Sequence, residues 1–413
     1  MPPMPDVKPF YGIRFAPVGP LKELVCPPYD VISDEEQERL HRLSEYNAVR
    51  MELPFSTAGD KADRYRRAAA QFRTWIQKEV LVPDTHPSLY VYRQDYELPS
   101  GERGRVGGVI GALALEEFGT RAGVLPHERT MPGPIEDRLA LMRECPVNIS
   151  PIYAIYRGGG ALAPYIDALG ARPPDARFVD DANTLHRLWA ISAPAEIEMM
   201  REALRAGPLV IADGHHRYET ALAYHREHHG APGGHGAVMC FCVDADVEGL
   251  VVYPFHRIVR TPVSKPVADV LLERFGGKPL RADESEAALA EADGDHPMVV
   301  TLPDQDVLID VPDDEVYAAV GDRPVEWRGL DVVALHEVVL SALSTEAPGL
   351  TFTRDAADVR RAVQLGTADF GVLLRPPNAT DVIDVARAGE RMPQKASYFW
   401  PKAVTGLVFR SLR

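Results

Sequence analysis

A short apolar run followed by a helical pattern organises the middle of the chain. Residues 208–212 are apolar and have the length of a buried strand. Asp213 and Gly214 form a turn dipeptide, and beyond them apolar side chains recur on one helical face. This pattern predicts a strand, a glycine turn and a helix in immediate succession.

The same periodicities predict strands and helices along the whole chain. The predicted strands are 11–15, 89–98, 105–116, 148–156, 183–191, 238–243, 249–253, 297–302, 306–311 and 370–374. The predicted helices are 33–43, 60–80, 195–205, 267–275, 330–343, 356–365 and 381–388, with others beginning near 134 and 161. We therefore expect a mixed α/β (α+β) fold with a first region over 1–262 and a C-terminal α+β domain over 263–413.

The first turn of the central helix carries unusual charges. His215, His216 and Arg217 would stand at the helix N-terminus, where cations destabilise an isolated helix. A helix N-terminus also presents N–H groups to anions. The pattern therefore indicates a phosphate or carboxylate bound there, with a surface turn as the plainer alternative.

Two further runs could contribute to such a site. Pro27 and Pro28 fix an extended path, so that Tyr29 and Asp30 either line a pocket or belong to a rigid connector. In the run 127–130, Glu128 could act as a base or metal ligand. Arg129 of that run, together with Arg138 in the next helix, could clamp an anion. A solvated loop is the alternative interpretation of the second run.

The C-terminal half contributes another basic pair and an ordered tail. His256 and Arg257 follow a predicted strand and offer a second anion contact, or simply end the strand. The tail 391–402 is rich in aromatic residues and proline, so we expect it to be ordered and to return to the site. Lys395 and Ser397 would then contact phosphate, whereas the alternative is an aromatic plug over the core.

Composition narrows the classes of function. The formal net charge of −15 argues against broad binding to nucleic acid or anionic membranes. No apolar run has the length of a membrane span, and the first residues lack the features of a signal peptide. Of the four cysteines, Cys240 and Cys242 lie in a predicted strand and are expected to be buried free thiols, which suits a cytoplasmic protein.

The run 213–217 resembles the phosphate box of the ParB/sulfiredoxin superfamily. Sulfiredoxins carry a reactive cysteine where this chain has His215, so the resemblance implies nucleotide binding without sulfur chemistry. The Asp-Gly-His-His-Arg form is more similar to the free-serine kinases of that superfamily. It implies a ParB/sulfiredoxin-like nucleotide-binding core in the first region.

Several runs together resemble the DUF1015 family. They are 27–32, 127–130 with 137–138, 148–152, 213–218, 254–257 and 392–402. Where the family usually has Pro-Lys-Ser-Thr-Tyr-Phe in the tail, this chain has Gln394-Lys395-Ala396-Ser397-Tyr398-Phe399, which lacks one hydroxyl.

The sequence thus predicts a phosphotransferase that uses ATP or ADP and acts on a small hydroxyl compound, with free serine or phosphoserine as the best candidate. Gly214, His215, His216 and Arg217 would hold the phosphates, assisted by the other basic residues named above. Asp213 would bind Mg²⁺ or accept the hydroxyl proton, Glu128 is the alternative base, and Tyr29 and Asp30 would shape the substrate pocket.

Other interpretations remain open at this stage. The main rival is a non-catalytic nucleotide or small-molecule sensor of the ParB type. Its DNA-binding version is disfavoured because the helix 330–343 has no Lys or Arg. A metal hydrolase built on His225 and His229, which have i, i+4 spacing, is the third. A nucleotide and a small molecule are the expected partners, nucleic acid and membrane are not, and a homodimer is allowed.

Overall fold

The computed structural model describes residues 4–56, 63–119, 122–262, 266–343 and 347–413. The chain divides into two units. The first consists of Met1–Leu250 together with Pro401–Arg413, and the second of Val251–Trp400. The observed division lies at 250/251 and again at 400/401, whereas the sequence placed it once, at 262/263.

The strands of the described residues, in chain order, are β1 (Val7–Lys8), β2 (Gly12–Phe15), β3 (Leu81–Pro83), β4 (Leu89–Glu97), β5 (Arg103–Ala114), β6 (Val124–Pro126), β7 (Val147–Asn148), β8 (Ile152–Tyr156), β9 (Ala176–Val179), β10 (Leu185–Ile191), β11 (Leu209–Asp213), β12 (Ala237–Asp244), β13 (Val251–Tyr253), β14 (His256–Arg260), β15 (Lys278–Leu280), β16 (Pro297–Thr301), β17 (Asp306–Asp310), β18 (Gly349–Thr353), β19 (Phe370–Leu374), β20 (Tyr398–Trp400) and β21 (Phe409–Ser411).

The helices of the same residues are α1 (Leu21–Leu24), α2 (Asp34–Leu43), α3 (Val49–Glu52), α4 (Asp63–Gln77), α5 (Pro132–Glu144), α6 (Ala163–Ala168), α7 (Pro194–Leu204), α8 (His215–Glu227), α9 (Val267–Phe275), α10 (Ser285–Glu291), α11 (Asp313–Val320), α12 (Val325–Arg328), α13 (Asp331–Ala334), α14 (Leu340–Leu343), α15 (Ala356–Gln364) and α16 (Ala379–Arg387). Short 3₁₀ turns occur at Tyr29–Val31 and Leu169–Ala171, and a π-helical turn at Leu335–Val339.

A mixed sheet forms the centre of the first unit. Its strand order is β6-β11-β8-β12-β5-β4-β10-β9, and β1 also pairs with β5. β11 runs parallel to β6 and antiparallel to β8, so both of its edges are paired. Residues 209–212 of β11 are buried because the strand lies inside this sheet.

A second, smaller sheet closes the first unit. Its order is β3-β2-β21-β7, with every neighbouring pair antiparallel. Strand β21 therefore brings the end of the described chain between two segments from the first half. Phe409 of β21 is fully buried in a core shared with Trp75 of α4 and Leu141 of α5.

The second unit is built on an antiparallel sheet of order β15-β17-β16-β19-β14-β18. Its α15 and α10 cover one face through Val359 and Leu289, which pack with Val299 and Leu373. The paired strands β13 and β20 also belong to this unit. The mixed α/β (α+β) class predicted from the sequence is confirmed.

Some predicted elements differ from the observed ones. The predicted strand 148–156 is two strands in different sheets, β7 and β8, because Pro151 between them has no N–H for a continuous ladder. The predicted helix 330–343 is interrupted by the π-helical turn at Leu335–Val339. The predicted helix 60–80 is observed as α4, and its residues 60–62 lie outside the described residues.

A substitution at Gly108 of β5 would test how closely this strand packs against β12 in the central sheet. A Cβ added there would lie 2.2 Å from the carbonyl oxygen of Cys242 on the paired strand β12. We expect Gly108→Ala to lower the free energy of unfolding by about 1–3 kcal/mol, because the backbone would have to shift. Urea unfolding followed by circular dichroism measures this change.

Gly207→Ala is the matched control, since no described atom lies within 4 Å of its added Cβ. Its unfolding midpoint should stay close to that of the wild type. Equal midpoints for the two variants would contradict the described pairing of β5 with β12.

Candidate phosphate site

The strand–turn–helix predicted around Gly214 is present. β11 ends at Asp213, and α8 begins at His215. Gly214 is the N-cap of the helix and has φ +86°, a left-handed conformation that glycine adopts without strain. A Cβ at this position would also lie 2.9 Å from Arg217 Nε. Glycine is thus required both by the turn and by the close approach of the guanidinium.

Asp213 lies between two cations. Its Oδ2 pairs with Arg217 Nη2 at 2.5 Å, and its Oδ1 pairs with Lys402 Nζ. The side chains of Asp213 and Lys402 are each 13% exposed, and that of Arg217 is 10% exposed. Burial disfavours the ionised carboxylate, but the charges of Lys402 and Arg217 outweigh it and hold the pKa of Asp213 at about 2.

Arg217 also links the start of the helix to the entrance of β8. Its Nη1 donates to the carbonyl of Pro151 at 2.5 Å. Within the described part of the chain, its Nε is buried and has no hydrogen-bond partner. Because a buried donor without an acceptor is costly, this atom indicates that an additional acceptor belongs beside Gly214.

The loop 127–131 folds over the first turn of α8. His215 Nε2 accepts from the backbone N–H of His127 at 3.3 Å, and His216 Nε2 accepts from that of Met131 at 3.0 Å. Both imidazoles are thus engaged by the loop through Nε2. His127 in turn donates from Nδ1 to the carbonyl of Ile211 at 2.6 Å. Its burial lowers its pKa.

The remaining residues of this loop, 128–130, differ in their neighbours and exposure. Glu128 Oε1 lies 4.0 Å from His127 Nε2, and its side chain is 20% exposed. Arg129 is exposed. Thr130 donates from its hydroxyl to Glu219 of α8 at 2.8 Å, which fastens the loop to the helix.

Tyr29 and Arg138 pack together beside Glu52, a residue to which the sequence patterns do not point. The Arg138 guanidinium lies over the Tyr29 ring, 4.4 Å from its centroid, and donates to the carbonyl of Glu52 at 2.7 Å. Glu52 is 3% exposed and accepts from the hydroxyl of Ser150 at 2.9 Å. Burial raises the pKa of Tyr29 to about 12. Arg138, which also pairs with Asp137, therefore supports the Tyr29 segment.

Asp30 faces the charged cluster. The residue as a whole is exposed, but the protein that surrounds its carboxylate removes water from it, and this desolvation raises the pKa of Asp30. The negative charge of Asp213 raises that pKa further. The charges of Arg217 and Lys402 oppose this shift only in part. The two aspartates of the site thus have pKa values shifted in opposite directions.

A family model shows where this chain belongs. The model "Protein of unknown function (DUF1015)" matches residues 7–333. The chain belongs to the DUF1015 family. Of the residues placed at the phosphate site in this subsection, the match includes all except Lys402, which lies beyond it.

Solved structures similar to this DUF1015 chain include a free serine kinase in complex with AMP. It is 14% identical with a TM-score of 0.35, and the alignment covers 70% of this chain and 88% of the kinase. SbnI with a C-terminal truncation from Staphylococcus aureus is 10% identical with a TM-score of 0.38, covering 73% and 87%. A conserved hypothetical protein from Pyrococcus furiosus is 14% identical with a TM-score of 0.31, covering 67% and 87%.

At these identities and TM-scores, structural similarity assigns no activity to the DUF1015 chain. No curated protein sequence matches it. Among the helices of its described residues, none is long and apolar enough to cross a membrane.

The remaining predicted residues lie in the second unit of the DUF1015 chain. His256 Nδ1 accepts from the N–H of Leu374 at 3.2 Å, and burial lowers its pKa to about 4. Arg257 is fully buried and donates from Nη2 to the carbonyl of Gln394 at 3.4 Å. This contact brings the pair close to the run that holds Lys395, which has φ +55°, and the buried Ser397.

The histidine-rich end of α8 forms its own cluster. His225 Nδ1 lies 2.9 Å from His235 Nδ1, and His228 Nδ1 bonds to the carbonyl of Tyr224. No group of three or more His, Cys, Asp or Glu side chains suited to a metal ion occurs in the ranges that the structure describes. The four cysteines are free and buried, which confirms the prediction made for Cys240 and Cys242.

The acid sensitivity of this DUF1015 protein should depend on Asp213. Because its folded-state pKa is lowered from 3.8 to about 2, its ionisation stabilises the fold above pH 4. We expect this contribution, about 2 kcal/mol, to be lost as the pH falls from 4 to 2. Asp213→Asn should be less stable at pH 6, since it leaves two buried cations without their carboxylate.

Urea unfolding at several pH values between 2 and 6 checks this expectation. The difference between wild type and Asp213→Asn should narrow as the pH falls. Glu202→Gln, which changes a carboxylate that is 76% exposed, should follow the wild type throughout. Parallel curves for wild type and Asp213→Asn would refute the assigned ion pairs.

Proposed function

We propose that this protein transfers a phosphoryl group between an adenine nucleotide and a small hydroxyl compound, with free serine as the first candidate. The observation that carries the proposal is the glycine turn at Gly214, beside which the anchored Arg217 has a buried Nε without a hydrogen-bond partner among the described residues. A buried guanidinium donor beside a helix N-terminus is suited to a phosphate oxygen.

The helix start supplies the rest of the phosphate site. The N–H groups in the first turn of α8 have no acceptor within the helix, and Gly214 contributes no capping side chain. α8 has 13 residues, so its dipole adds to the attraction of an anion. His215 and His216 stand on the same turn, where each accepts a hydrogen bond from the loop 127–131.

Asp30 is the better candidate for the base that takes the proton from the substrate hydroxyl. Asp213 is held ionised by two cations, which makes it a weak proton acceptor. Asp30 has a raised pKa and an exposed surface, both of which suit a base in contact with substrate. Glu128, the alternative base, lies beside His127 in the folded-over loop.

The reaction can then be written with its atoms balanced. Asp30 takes the hydroxyl proton while the substrate oxygen forms a bond to the terminal phosphorus of the nucleotide. The bond between that phosphorus and its bridging oxygen breaks, and the shorter nucleotide leaves. The charge that develops on the phosphoryl oxygens is stabilised by the helix N–H groups and Arg217. The reverse direction, from a phosphorylated compound to the nucleotide, uses the same groups.

Asp213 pairs with a cation at each of its two oxygens in the nucleotide-free arrangement. The metal role predicted for it stays a prediction, and the proposal assigns no step to Mg²⁺. The cation requirement of the transition state is met in the proposal by side chains of the protein.

A product assay with matched variants tests this function. The protein is incubated with ATP or ADP, Mg²⁺ and a panel of amino acids and other hydroxyl compounds, and phosphorylated product is sought by mass spectrometry. Asp30→Asn should lower the rate of product formation at least about 100-fold because the base is lost, while nucleotide affinity changes little. Arg217→Met should weaken nucleotide binding itself.

Glu128→Gln is the matched control and should retain most of the activity. The opposite ranking, with Glu128→Gln inactive and Asp30→Asn active, would make Glu128 the base. Nucleotide binding without any product would support the sensor in place of the enzyme. Absence of nucleotide binding by the wild type would overturn the proposed function.

A further inference from the structure

Lys402 reaches the phosphate site from a distant part of the sequence. It belongs to the segment 401–413 of the first unit, and its Nζ pairs with Asp213 Oδ1. With 13% of its side chain exposed, it is among the buried charges of the cluster. The sequence patterns that point to Asp213 do not include it.

The backbone of Lys402 is held firmly. Its carbonyl accepts from Gln94 Nε2 at 3.0 Å, and Gln94 is 1% exposed. Close by in sequence, Thr405 and Cys26 exchange two backbone hydrogen bonds of 2.8 and 3.1 Å. Cys26 starts the stretch that carries Tyr29 and Asp30. The backbone of Lys402 is therefore fixed in the unit that contains the phosphate site. A change in the position of its ammonium group would come from rotations within the four-carbon side chain.

The guanidinium of Arg217 is held at both of its terminal nitrogens. One of its terminal nitrogens is bound to Asp213 and the other to the carbonyl of Pro151. The guanidinium is planar and makes these contacts in a fixed fork, so moving it would break both. A lysine ammonium is a point charge with three rotatable donors, which lets it exchange one acceptor for another.

The charges of the cluster explain why such an exchange would be needed. The carboxylates of Asp30 and Asp213 face the cations of Arg217 and Lys402. When Asp30 is ionised, these two carboxylates balance the two side-chain cations, whereas a nucleotide brings several negative charges. A polyphosphate would be attracted more strongly if one cation turned from Asp213 towards it.

We infer that Lys402 pairs with Asp213 in the nucleotide-free protein and turns to the phosphoryl oxygens when a nucleotide binds at Gly214. Arg217 remains on Asp213 and keeps that carboxylate paired. The inference rests on the proposed nucleotide site, and it makes Lys402 a contact of the phosphoryl group itself. The segment 401–413 then takes part in phosphate recognition, in addition to completing the small sheet through β21.

Calorimetric titration of the full chain with adenosine, AMP and ADP tests the inference. Lys402→Met should weaken ADP binding by about tenfold to a hundredfold, as expected for loss of a charged hydrogen bond, and leave adenosine binding unchanged. Lys402→Arg keeps the charge and should lose less. Lys8→Met is the matched control, because Lys8 is 60% exposed and pairs with Asp6.

A double-mutant cycle separates this role from a purely structural one. The coupling between Asp213→Asn and Lys402→Met is measured from thermal unfolding, without ligand and with saturating ADP. The inference requires strong coupling without ligand and weak coupling with ADP. Equal coupling in both states, or an equal loss of adenosine and ADP affinity, would show that Lys402 only supports the fold.

The outcomes also distinguish this inference from the proposed function. Wild-type protein that binds ADP, together with a Lys402→Met variant of the same ADP affinity, would overturn the role of Lys402 alone. Wild-type protein that binds no ADP would overturn both. If Lys402→Met does not fold, the comparison of Lys402→Arg with wild type in the ADP and adenosine titrations decides the matter.

Discussion

A carboxylate buried where a strand meets a helix constrains the first unit. Removing an ionised aspartate from water costs several kcal/mol unless cations and hydrogen bonds compensate. Asp213 receives that compensation from Arg217 on its own helix and from Lys402 at the other end of the sequence. Each cation is itself tied to another segment, Arg217 to Pro151 and Lys402 to Gln94. One buried charge thus fixes the relative positions of several chain segments.

The same constraint explains the residues on the helix turn. Cations at a helix N-terminus are unfavourable in isolation, and the structure shows how that cost is reduced. Arg217 is paired with Asp213, and the two neighbouring histidines accept hydrogen bonds from the loop 127–131. The basic side chains of the turn are therefore each engaged by another group of the protein.

The local parts of this site could be predicted from the sequence, and the distant parts could not. The strand, Gly214 and the helix follow from apolar spacing within a few residues, and all are observed. Lys402 ends the tail run that was expected to return to the site, but its pairing with Asp213, like the contact of Glu52 with Ser150, is one that no local pattern specifies. The split of the predicted strand 148–156 has a local cause, Pro151, whose missing N–H was a usable signal. The mixed α/β class was predictable because it needs only the succession of elements.

The residues of the tail run 391–402 belong to two different units, although they are adjacent in sequence. The sequence presents the run 391–402 as one motif because its aromatic and basic residues are adjacent. The structure assigns Lys395 and Ser397 to the second unit, where β20 pairs with β13, and Lys402 to the first. Adjacent residues can therefore serve different units when a strand ends between them, as β20 does at Trp400. The contact with phosphate that was predicted for Lys395 and Ser397 stays a prediction.

Lys402, which contacts Asp213, is positioned by two sets of hydrogen bonds. The Gln94 side chain donates to the carbonyl of Lys402, and the backbone of Thr405 is paired with that of Cys26, so both depend on the folded first unit. The sequence alone does not call for a second cation, because Asp213 already has an i, i+4 partner in Arg217. Lys402 is found only as a long-range contact in the folded structure.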